Sequence, residues 1–340
     1  MRARITLLPA QQVIVTEDDE TILDAALRAG INLPHSCRGG HCASCRARIV
    51  GGSIQYRNGR PLGLMEQEER DGYALLCQAL PAVTDVSVQV RVIKPVAEVH
   101  VQHLPCRIER LQPLAPNVMA VFLRLPAVEQ FAFAAGQYVD VMLDGNRRRS
   151  FSIANPPHDA KFLELHVRRV AHGEFTSQIF GEASLKTLLR LEGPLGQLWF
   201  REDSERPAIL VGGGTGYAPL RSMLRHLLER GDQRPLHLYW GAQTREGLYE
   251  DSVLREWCVR YPNLTYTPVL TVAPENEDWI GRRGWVHTAV IEDHPSLRNF
   301  DVYAAGPPAM IETLRTDFSA HGLPPAQLFF DSFDFSPQGK

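Results

Sequence analysis

The chain has 340 residues, which is enough for two or three domains with separate hydrophobic cores. Its apolar fraction of 44% and charged fraction of 22% are ordinary for a globular protein, and a formal net charge of −3 excludes the strongly basic class of nucleic-acid binders. No apolar run reaches the roughly 18 residues of a membrane helix, and Pro9, Gln11 and Gln12 interrupt any signal-peptide core. These features predict a cytoplasmic protein with neither a nucleic-acid nor a membrane partner.

Residues 1–93 predict a compact, β-rich domain. The strands ITLLP and QVIVTE form a hairpin before a helix in ETILDAALRAG, with Thr21 in its capping region and Gly30 as its stop. A second strand pair in ARIVGGSIQY breaks at Gly51 and Gly52, and a short acidic helix in MEQEERDGYALLC delivers Cys77. The strand DVSVQVRVI alternates strictly between apolar and polar residues and ends the domain.

The rest of the chain predicts two larger domains after a linker over residues 94–103. Short strand signals recur over residues 104–202 with one helical stretch, EFTSQIFGE, a pattern typical of an antiparallel barrel. Over residues 203–340 strands and helices alternate, from PAILVGGG to LFFDSFDF, as in a parallel α/β sheet. The predicted fold class is therefore multidomain, with an antiparallel β-barrel and an α/β domain following the small N-terminal one.

Four of the six cysteines form a pattern that begins in CRGGHCASC, residues 37–45. The first three are spaced C-x4-C-x2-C and the fourth follows after 31 residues, which is the spacing of a plant-type [2Fe–2S] cluster. Gly39 and Gly40 let the backbone approach the inorganic sulfides without a clash from a Cβ atom. The predicted metal ligands are Cys37, Cys42, Cys45 and Cys77.

Two other interpretations of these thiols remain. Structural zinc usually takes two C-x2–4-C pairs, whereas here three cysteines share one loop and the fourth stands alone. Unligated thiols are the second alternative. Cys106 and Cys258 lie outside the pattern, and we expect them to be buried structural thiols.

Five arginines and no acidic residue lie between Cys37 and Arg60. An ordinary solvated face is one explanation, and a docking surface for an acidic electron acceptor is the other. The five are Arg38, Arg46, Arg48, Arg57 and Arg60.

The segment RRRSFSIAN, residues 147–155, predicts one half of a flavin site. On a strand, Arg149 and Phe151 share one face, so that Arg149 can pair with a phosphate and Phe151 can stack on the isoalloxazine ring. Ser152 can then reach the N5 edge of that ring by a hydrogen bond.

The segment HGEFTS, residues 172–177, predicts the other half. Gly173 and Thr176 open the helix that carries Phe175, and a helix N-terminus with a glycine and a hydroxyl is suited to a diphosphate. On the strand between the two segments, His166 and Arg168 are predicted to contact the same diphosphate. We interpret His172 as an exposed turn residue.

Two glycine turns predict a pyridine-nucleotide site at the carboxyl edge of the parallel sheet. ILVGGGTGYAP lacks the strict G-x-G-x-x-G spacing, and AAGPPAM repeats its strand-to-turn geometry. The predicted contacts are Gly213, Gly214, Thr215, Gly216, Gly306 and Pro307. Arg245 is suited to a 2′-phosphate, so the choice between NADH and NADPH stays open. Phe330 or Phe333 either covers the flavin or packs as an ordinary strand residue.

The order of these segments resembles a known family. Residues 1–93 resemble plant-type ferredoxin domains, and residues 104–340 resemble the ferredoxin–NADP reductase family in RRRSFSIAN, HGEFTS, GGGTGYAP and AAGPPAM. A ferredoxin fused to the N-terminus is the arrangement of phenol hydroxylase-type and benzoate dioxygenase-type oxygenase reductases. The stretches TILDAAL, LPCRIERL and LRLEGPLGQLWFRED are most similar to the CDP-6-deoxy-3,4-glucoseen reductase group.

This resemblance implies a β-grasp ferredoxin domain and an NAD(P)H-dependent reductase that passes electrons through FAD and a [2Fe–2S] cluster singly to a protein partner. That partner would be a dehydrase or an oxygenase component, and a redox-sensing module without a catalytic partner is the non-enzymatic alternative. Two residues depart from the family pattern. Phe151 replaces the usual tyrosine, and Ala305 stands where a cysteine is frequent.

Overall fold

The computed structural model describes residues 2–31, 33–35, 38–40, 45–90, 101–126, 131–143, 147–159, 161–171, 173–181, 185–272 and 278–333. The chain forms two compact units, one built on the N-terminal part up to Val101 and one on Gln102–Pro194 and Leu198–Asp331. Within the described ranges, no helix is long and apolar enough to cross a membrane.

The first unit contains a five-stranded mixed sheet in the order β2-β1-β7-β3-β5. Its strands are β1 (Arg4–Leu8), β2 (Gln12–Val15), β3 (Arg46–Gly51), β5 (Tyr73–Leu75) and β7 (Asp85–Gln89), and β4 (Ile54–Gln55) pairs separately with β6 (Leu80–Pro81). Helix α1 (Ile22–Arg28) packs its buried face against this sheet, and α2 (Glu66–Arg70) lies on the surface. The predicted hairpin and first helix are confirmed, and the Thr21 hydroxyl accepts a hydrogen bond from Asp24 N at 3.1 Å.

Two local predictions for this unit are wrong. Strands β3 and β4 do not pair with each other, because Gly52, at φ +78°, turns the chain toward a separate two-stranded sheet. Helix α2 does not deliver Cys77, since it ends at Arg70 and Gly72, at φ +82°, starts a new strand. That strand is β5, whose Ala74 and Leu75 are buried in the core.

The N-terminal half of the second unit is an antiparallel barrel with the strand order β11-β10-β13-β8-β9-β12. A bridge between Ile153 and Leu165 joins the two outer strands and closes it. Strand β8 starts at Gln102, inside the predicted linker, of which residues 94–100 lie outside the described ranges. The elements are β8 (Gln102–Ala115), β9 (Val118–Arg124), β10 (Tyr138–Met142), β11 (Arg148–Ser152), β12 (Leu163–Arg168), α3 (Glu174–Phe180) and β13 (Leu188–Leu195).

The C-terminal half is a six-stranded α/β layer in the order β17-β16-β15-β14-β18-β19. All neighbours from β17 to β18 are parallel, as the alternating pattern predicted. Its strands are β14 (Ala208–Gly213), β15 (Leu236–Ala242), β16 (Leu264–Leu270), β17 (Arg282–Arg283), β18 (Asp301–Gly306) and β19 (Leu328–Ser332). Its helices are α4 (Tyr217–Glu229), α5 (Asp251–Arg260), α6 (Val286–Asp293) and α7 (Pro308–Ala320).

A buried ion-pair network, formed by Glu164, Arg221 and Glu250, joins the barrel to the α/β layer. Arg221 of α4 donates from Nη1 to Glu164 Oε2 of β12 at 3.0 Å, and from Nε to Glu250 Oε2 at 2.8 Å. His166 extends the network, since its Nε2 lies 3.2 Å from Glu164 Oε1 and its Nδ1 lies 2.9 Å from the Tyr249 hydroxyl. Two carboxylates therefore share one guanidinium away from solvent.

The network predicts an acid dependence of stability. Burial raises the pKa of Glu164, but the hydrogen bond with His166 and the charge of Arg221 lower it by more, from 4.5 to about 2. A pKa depressed by folding means that the stabilisation is complete above about pH 4.5 and is lost as the pH falls toward 2. The difference corresponds to about 3 kcal/mol.

We therefore expect the Glu164→Gln variant to have a lower free energy of unfolding than the wild type at pH 7, and the gap to close on acidification. Urea unfolding followed by circular dichroism at pH values between 7 and 2.5 measures that gap. The Glu256→Gln variant, altered at an exposed position of α5, is the control and should follow the wild type throughout. A gap for Glu164→Gln that stays constant down to pH 2.5 would contradict the assignment.

Candidate functional site

Cys45 and Cys77 lie at the same end of the paired strands β3 and β5. Arg46 faces Leu75 in that pair, so Cys45 precedes one strand and Cys77 follows the other by two residues. Leu76 N donates to Cys45 O at 3.1 Å, and the two cysteines are only 3% and 5% exposed. Cys37 and Cys42 lie outside the described residues, so the structure shows two of the four predicted ligands in one buried place.

The backbone beside these thiols is packed as an iron–sulfur site requires. Gly40, at φ +80°, has Gln78 Cγ and Pro61 Cβ each 2.9 Å from the position that a Cβ atom would take. The Gln78 side-chain amide donates to Arg38 O at 2.8 Å and to Cys77 O at 3.0 Å. The glycine loop is thus held against the segment that carries Cys77, and thiolates with a close backbone fit a [2Fe–2S] cluster.

The arginine-rich segment is partly neutralised within its own unit. Three of its five arginines pair with carboxylates: Arg46 with Glu68, Arg57 with Asp19 and Arg60 with Glu69. Arg48 is exposed. The surface is therefore a mixture of charges rather than a uniformly basic patch.

Strand β11 carries a buried hydroxyl that fits a flavin. Ser152 is 7% exposed, and its Oγ has no hydrogen-bond partner among the described residues. Ser150 on the same strand, by contrast, donates to Asp140 Oδ1 at 2.6 Å. A buried hydroxyl without a partner costs free energy, so a ligand atom at Ser152 would remove that cost. The ring of Phe151 packs beside that of Phe175, with centroids 5.2 Å apart.

The arginines of this segment have different surroundings. Arg148 pairs with the buried carboxylate of Glu192 and approaches Asp140 at 4.0 Å. Arg149 donates to the backbone oxygen of Arg148 at 2.8 Å and forms no ion pair with any described residue. Of these two, Arg149 is therefore the one whose charge is not already paired with a described carboxylate, and its predicted contact with a phosphate stays a prediction.

The start of α3 is fixed by Thr176. Its hydroxyl donates to Gly173 O at 3.0 Å and accepts from Val170 N at 3.3 Å, which holds the turn before the helix. A Cβ atom on Gly173 would lie 2.5 Å from Thr176 Oγ1, so this position requires glycine. Phe175 is buried beneath the turn.

The side chains of His166 and Arg168, the two other residues predicted to contact the diphosphate, have different surroundings. The side chain of His166 is fully buried in contact with Glu164 and Tyr249 rather than facing a phosphate. Arg168 is exposed, and its Nη1 lies 3.5 Å from the Cβ position of Gly214 on the nucleotide side. His172 lies outside the described residues.

The two glycine turns predicted for the nucleotide lie side by side, because β14 and β18 are paired. A Cβ atom on Gly216 would lie 2.0 Å from Ala305 O, and one on Gly213 would lie 3.0 Å from Pro307 Cδ. A Cβ atom on Gly306 would in turn lie 3.2 Å from the Cα atom of Gly213. These contacts bring the segment with Thr215 to the carboxyl edge of the sheet, where open α/β sheets bind ligands.

The remaining predicted residues lie apart from these contacts. Arg245 is exposed in the turn after β15. Phe330 is half-buried on the edge strand β19 and packs partly against the core, and Phe333 follows that strand. Cys106 is buried as expected, whereas Cys258 is only half-buried.

Sequence reasoning missed the residues beneath the glycine turn. The indole nitrogen of Trp240 donates to Gly214 O at 2.9 Å, and its ring stacks on Tyr217 at 4.0 Å. The Tyr217 hydroxyl donates to Glu250 Oε2 at 2.9 Å. The sequence carries no specific signal for these contacts, since an aromatic residue in the strand LHLYWGA or after the turn GGGTG is equally compatible with ordinary core packing.

Three family models match successive parts of the chain. Residues 5–82 match a 2Fe-2S iron-sulfur cluster binding domain, residues 105–200 an oxidoreductase FAD-binding domain and residues 210–316 an oxidoreductase NAD-binding domain. The order agrees with the three predicted folds and with the three groups of residues described above. The predicted domain boundaries stay predictions.

The chain aligns with known reductases over nearly the whole length of both proteins. The CDP-6-deoxy-L-threo-D-glycero-4-hexulose-3-dehydrase reductase of Yersinia pestis is 37% identical over 98% of this chain and 99% of its own. The reductase component of phenol 2-monooxygenase from Pseudomonas sp. (strain CF600) is 34% identical over 100% of this chain and 96% of its own. Among solved structures, the Amycolatopsis cytochrome P450 reductase GcoB matches 97% of this chain and 98% of its own, with 31% sequence identity and a TM-score of 0.79.

The alternatives of a zinc site and of a redox-sensing module are therefore not favoured, since this chain matches cluster, flavin and nucleotide domain models and aligns with reductases over nearly its full length. This chain belongs to the family of NAD(P)H-dependent iron–sulfur flavoprotein reductases, in which a [2Fe–2S] ferredoxin domain is fused to FAD- and NAD-binding oxidoreductase domains.

Proposed function

We propose that this reductase supplies electrons, one at a time, to a dehydrase that acts on a CDP-linked deoxyhexulose. The observation that carries this proposal is the end-to-end similarity to the Yersinia dehydrase reductase, which covers both chains almost completely. An oxygenase component is the second candidate, since a phenol 2-monooxygenase reductase matches over a similar length. Thiolate ligands need a reducing compartment, which favours the cytoplasm.

We assign the binding residues from the sequence pattern and the contacts described above. Bound FAD takes a hydride and releases electrons singly, and a bound [2Fe–2S] cluster carries one electron at a time. Cluster binding falls to Cys37, Cys42, Cys45 and Cys77. Nucleotide binding falls to Gly213, Gly214, Thr215, Gly216, Gly306 and Pro307, and flavin binding to Arg149, Phe151, Ser152, Gly173, Phe175 and Thr176.

Each flavin residue has a distinct task in this assignment. The Ser152 hydroxyl provides a hydrogen bond inside a dry site, where one directed polar group fixes an orientation. Phe175 holds the ring of Phe151, which has no hydroxyl of its own to anchor it. Arg149 neutralises phosphate charge, while Thr176 keeps the turn at Gly173 closed.

His166 and Arg168 have narrower tasks than the sequence implied. Because the imidazole of His166 is in contact with Glu164 and Tyr249, only its backbone is free to meet a diphosphate. Arg168 lies against Gly214 and has an exposed side chain, which supports a contact with phosphate on the nucleotide side of the barrel.

We also propose that the acceptor docks near the cluster loop, with the arginine-rich segment contributing to recognition. Arg48, which is exposed, is the clearest contributor. Arg46, Arg57 and Arg60 already have carboxylate partners in their own unit, which weakens their attraction for an acidic surface.

Reconstitution with purified partners tests the acceptor. With anaerobic NADH and the CDP-6-deoxyhexulose substrate, we expect the dehydrase to turn over only when this reductase is present. A phenol oxygenase component with phenol serves as the comparison, and coupled turnover there without turnover in the dehydrase mixture would reverse the assignment. Parallel reactions with NADPH determine the nucleotide preference.

The Cys42→Ser variant tests the order of electron transfer. Because ferricyanide takes electrons from the flavin, this variant should lose the cluster absorbance and cytochrome c reduction but keep ferricyanide reduction. The Cys258→Ser variant, which removes a half-buried thiol outside the four predicted ligands, should keep both activities. Equal loss of both activities in Cys42→Ser would show that the cluster does not follow the flavin.

The Arg149→Ala variant tests the flavin assignment. Losing a charge-assisted bond to phosphate costs on the order of 2 kcal/mol, so the dissociation constant for FAD should rise about 30-fold. Fluorescence of released FAD measures it. The Arg190→Ala variant, altered at an exposed arginine on β13 of the same barrel, should bind FAD like the wild type. Unchanged FAD affinity in Arg149→Ala would remove this residue from the site.

A further inference from the structure

Two residues of α4 connect the segment after the glycine turn to the segment after the flavin strand. Arg221 Nη1 donates to Ala154 O at 3.0 Å, and Ser222 Oγ donates to Asn155 O at 2.7 Å. Helix α4 begins at Tyr217, immediately after the glycines of the nucleotide turn. Ala154 and Asn155 lie two and three residues after Ser152 in the chain, so both bonds connect the two predicted binding segments.

The acceptor side of these bonds is rigid. The Asn155 side-chain amide donates to Asp159 O at 2.7 Å and to Phe162 O at 2.9 Å, and its Oδ1 accepts from Glu164 N at 2.8 Å. Asn155 and Ser222 are both buried. A movement of α4 is therefore transmitted to the backbone next to Ser152 and is not absorbed by a loose loop.

The guanidinium of Arg221, which donates one of these bonds, is held in place by two ion pairs. Arg221, whose side chain is 13% exposed, lies between Glu164 of the barrel and Glu250 of the α/β layer. Removing its guanidinium would leave two buried carboxylates from different layers without the cation that they share. Such carboxylates repel each other and attract water, which would separate the layers.

The same network reaches the nucleotide turn itself. Glu250 Oε2 accepts from the Tyr217 hydroxyl at 2.9 Å, and the Tyr217 ring is stacked on Trp240 at 4.0 Å. Trp240 in turn holds Gly214 O through its indole nitrogen. A displacement of Glu250 therefore changes the support of the turn that is predicted to bind the nucleotide diphosphate.

We propose that Arg221 and Ser222 are positioning residues for hydride transfer, which set the distance between the nicotinamide and the flavin without touching either. This inference rests on the proposed site, with the flavin beside Ser152 and the nucleotide at the glycine turn. It predicts that their loss slows the chemical step more than it weakens the binding of either ligand. Hydride transfer depends steeply on geometry, since a misplacement of about 1 Å can cost a hundredfold in rate.

The test compares Arg221→Met, Arg221→Lys and Ser222→Ala with the wild type, each loaded with FAD. Stopped-flow reduction of the flavin by NADH gives the rate at saturation and the dissociation constant separately. In Arg221→Met we expect the saturating rate to fall at least about tenfold with less than about a threefold change in the dissociation constant. Arg221→Lys should have a higher saturating rate than Arg221→Met because lysine restores the cation. In Ser222→Ala the saturating rate should fall about threefold relative to the wild type.

A second readout does not depend on activity. Hydrogen exchange at the amides of residues 153–155 and 212–217 should accelerate together in Arg221→Met, because one side chain supports both segments. The control is Arg255→Met, which removes an exposed pair with Asp251 within α5 and should leave the rate and the exchange unchanged. If Arg221→Met fails to fold, Ser222→Ala carries both measurements.

Two results would overturn the inference. One is a saturating rate within twofold of the wild type in both Arg221→Met and Ser222→Ala. The other is a parallel loss of rate, nucleotide affinity and bound FAD, which would indicate general destabilisation. If wild-type protein with bound FAD is reduced by neither NADH nor NADPH, the proposed function itself fails and this inference fails with it, so the two failures are distinguishable.

Discussion

The second unit of this reductase depends on one guanidinium shared by two buried carboxylates. Arg221 bonds to Glu164 in the barrel and to Glu250 in the α/β layer, and it also holds the backbone of Ala154. A buried carboxylate without a cation is unfavourable by several kcal/mol, so these contacts tie the two layers at one position. The interaction is electrostatic and directional, unlike the apolar packing inside each layer. It therefore fixes the orientation of the two layers as well as holding them together.

The relative orientation of the barrel and the α/β layer matters because the predicted flavin residues and the predicted nucleotide residues lie in different layers. One layer carries the Ser152 hydroxyl, which has no hydrogen-bond partner in the described part of the chain, and the ring pair of Phe151 and Phe175. The other carries the glycine turn at Gly213–Gly216, packed against the chain at Ala305. In the proposed assignment the flavin residues belong to one layer and the nucleotide residues to the other, so transfer of a hydride requires both layers to be held at a fixed separation. The polar contacts between them are therefore part of the functional architecture and not only of the fold.

The cysteine thiols of the first unit, unlike the ion-pair network, form a pattern that is visible in the sequence. The cysteine spacing favours an iron–sulfur site, because the ligands come from one short loop and one later residue, and the matching 2Fe-2S domain model agrees with it. The route of the chain to Cys77 was predicted wrongly, since the acidic run in MEQEERDG favours a helix but Gly72 ends it and the apolar residues that follow complete the sheet as β5. The glycine turn at Gly52 likewise sends β4 to a second sheet rather than back onto β3. Tertiary packing decided both cases.

The sequence by itself determined the three fold types, their order, the cysteine pattern and the segments for flavin and nucleotide, because periodicity, glycine turns and ligand spacing are local properties of the chain. It did not determine which residue each polar side chain meets. Glu164 and His166 look like solvent-facing positions on a strand, yet the α/β layer covers them, and Arg221 looks like one exposed arginine among several on an amphipathic helix. Only the tertiary structure brings residues 57 positions apart within 3.0 Å, since such contacts depend on how separate layers dock and leave no periodic trace in the sequence.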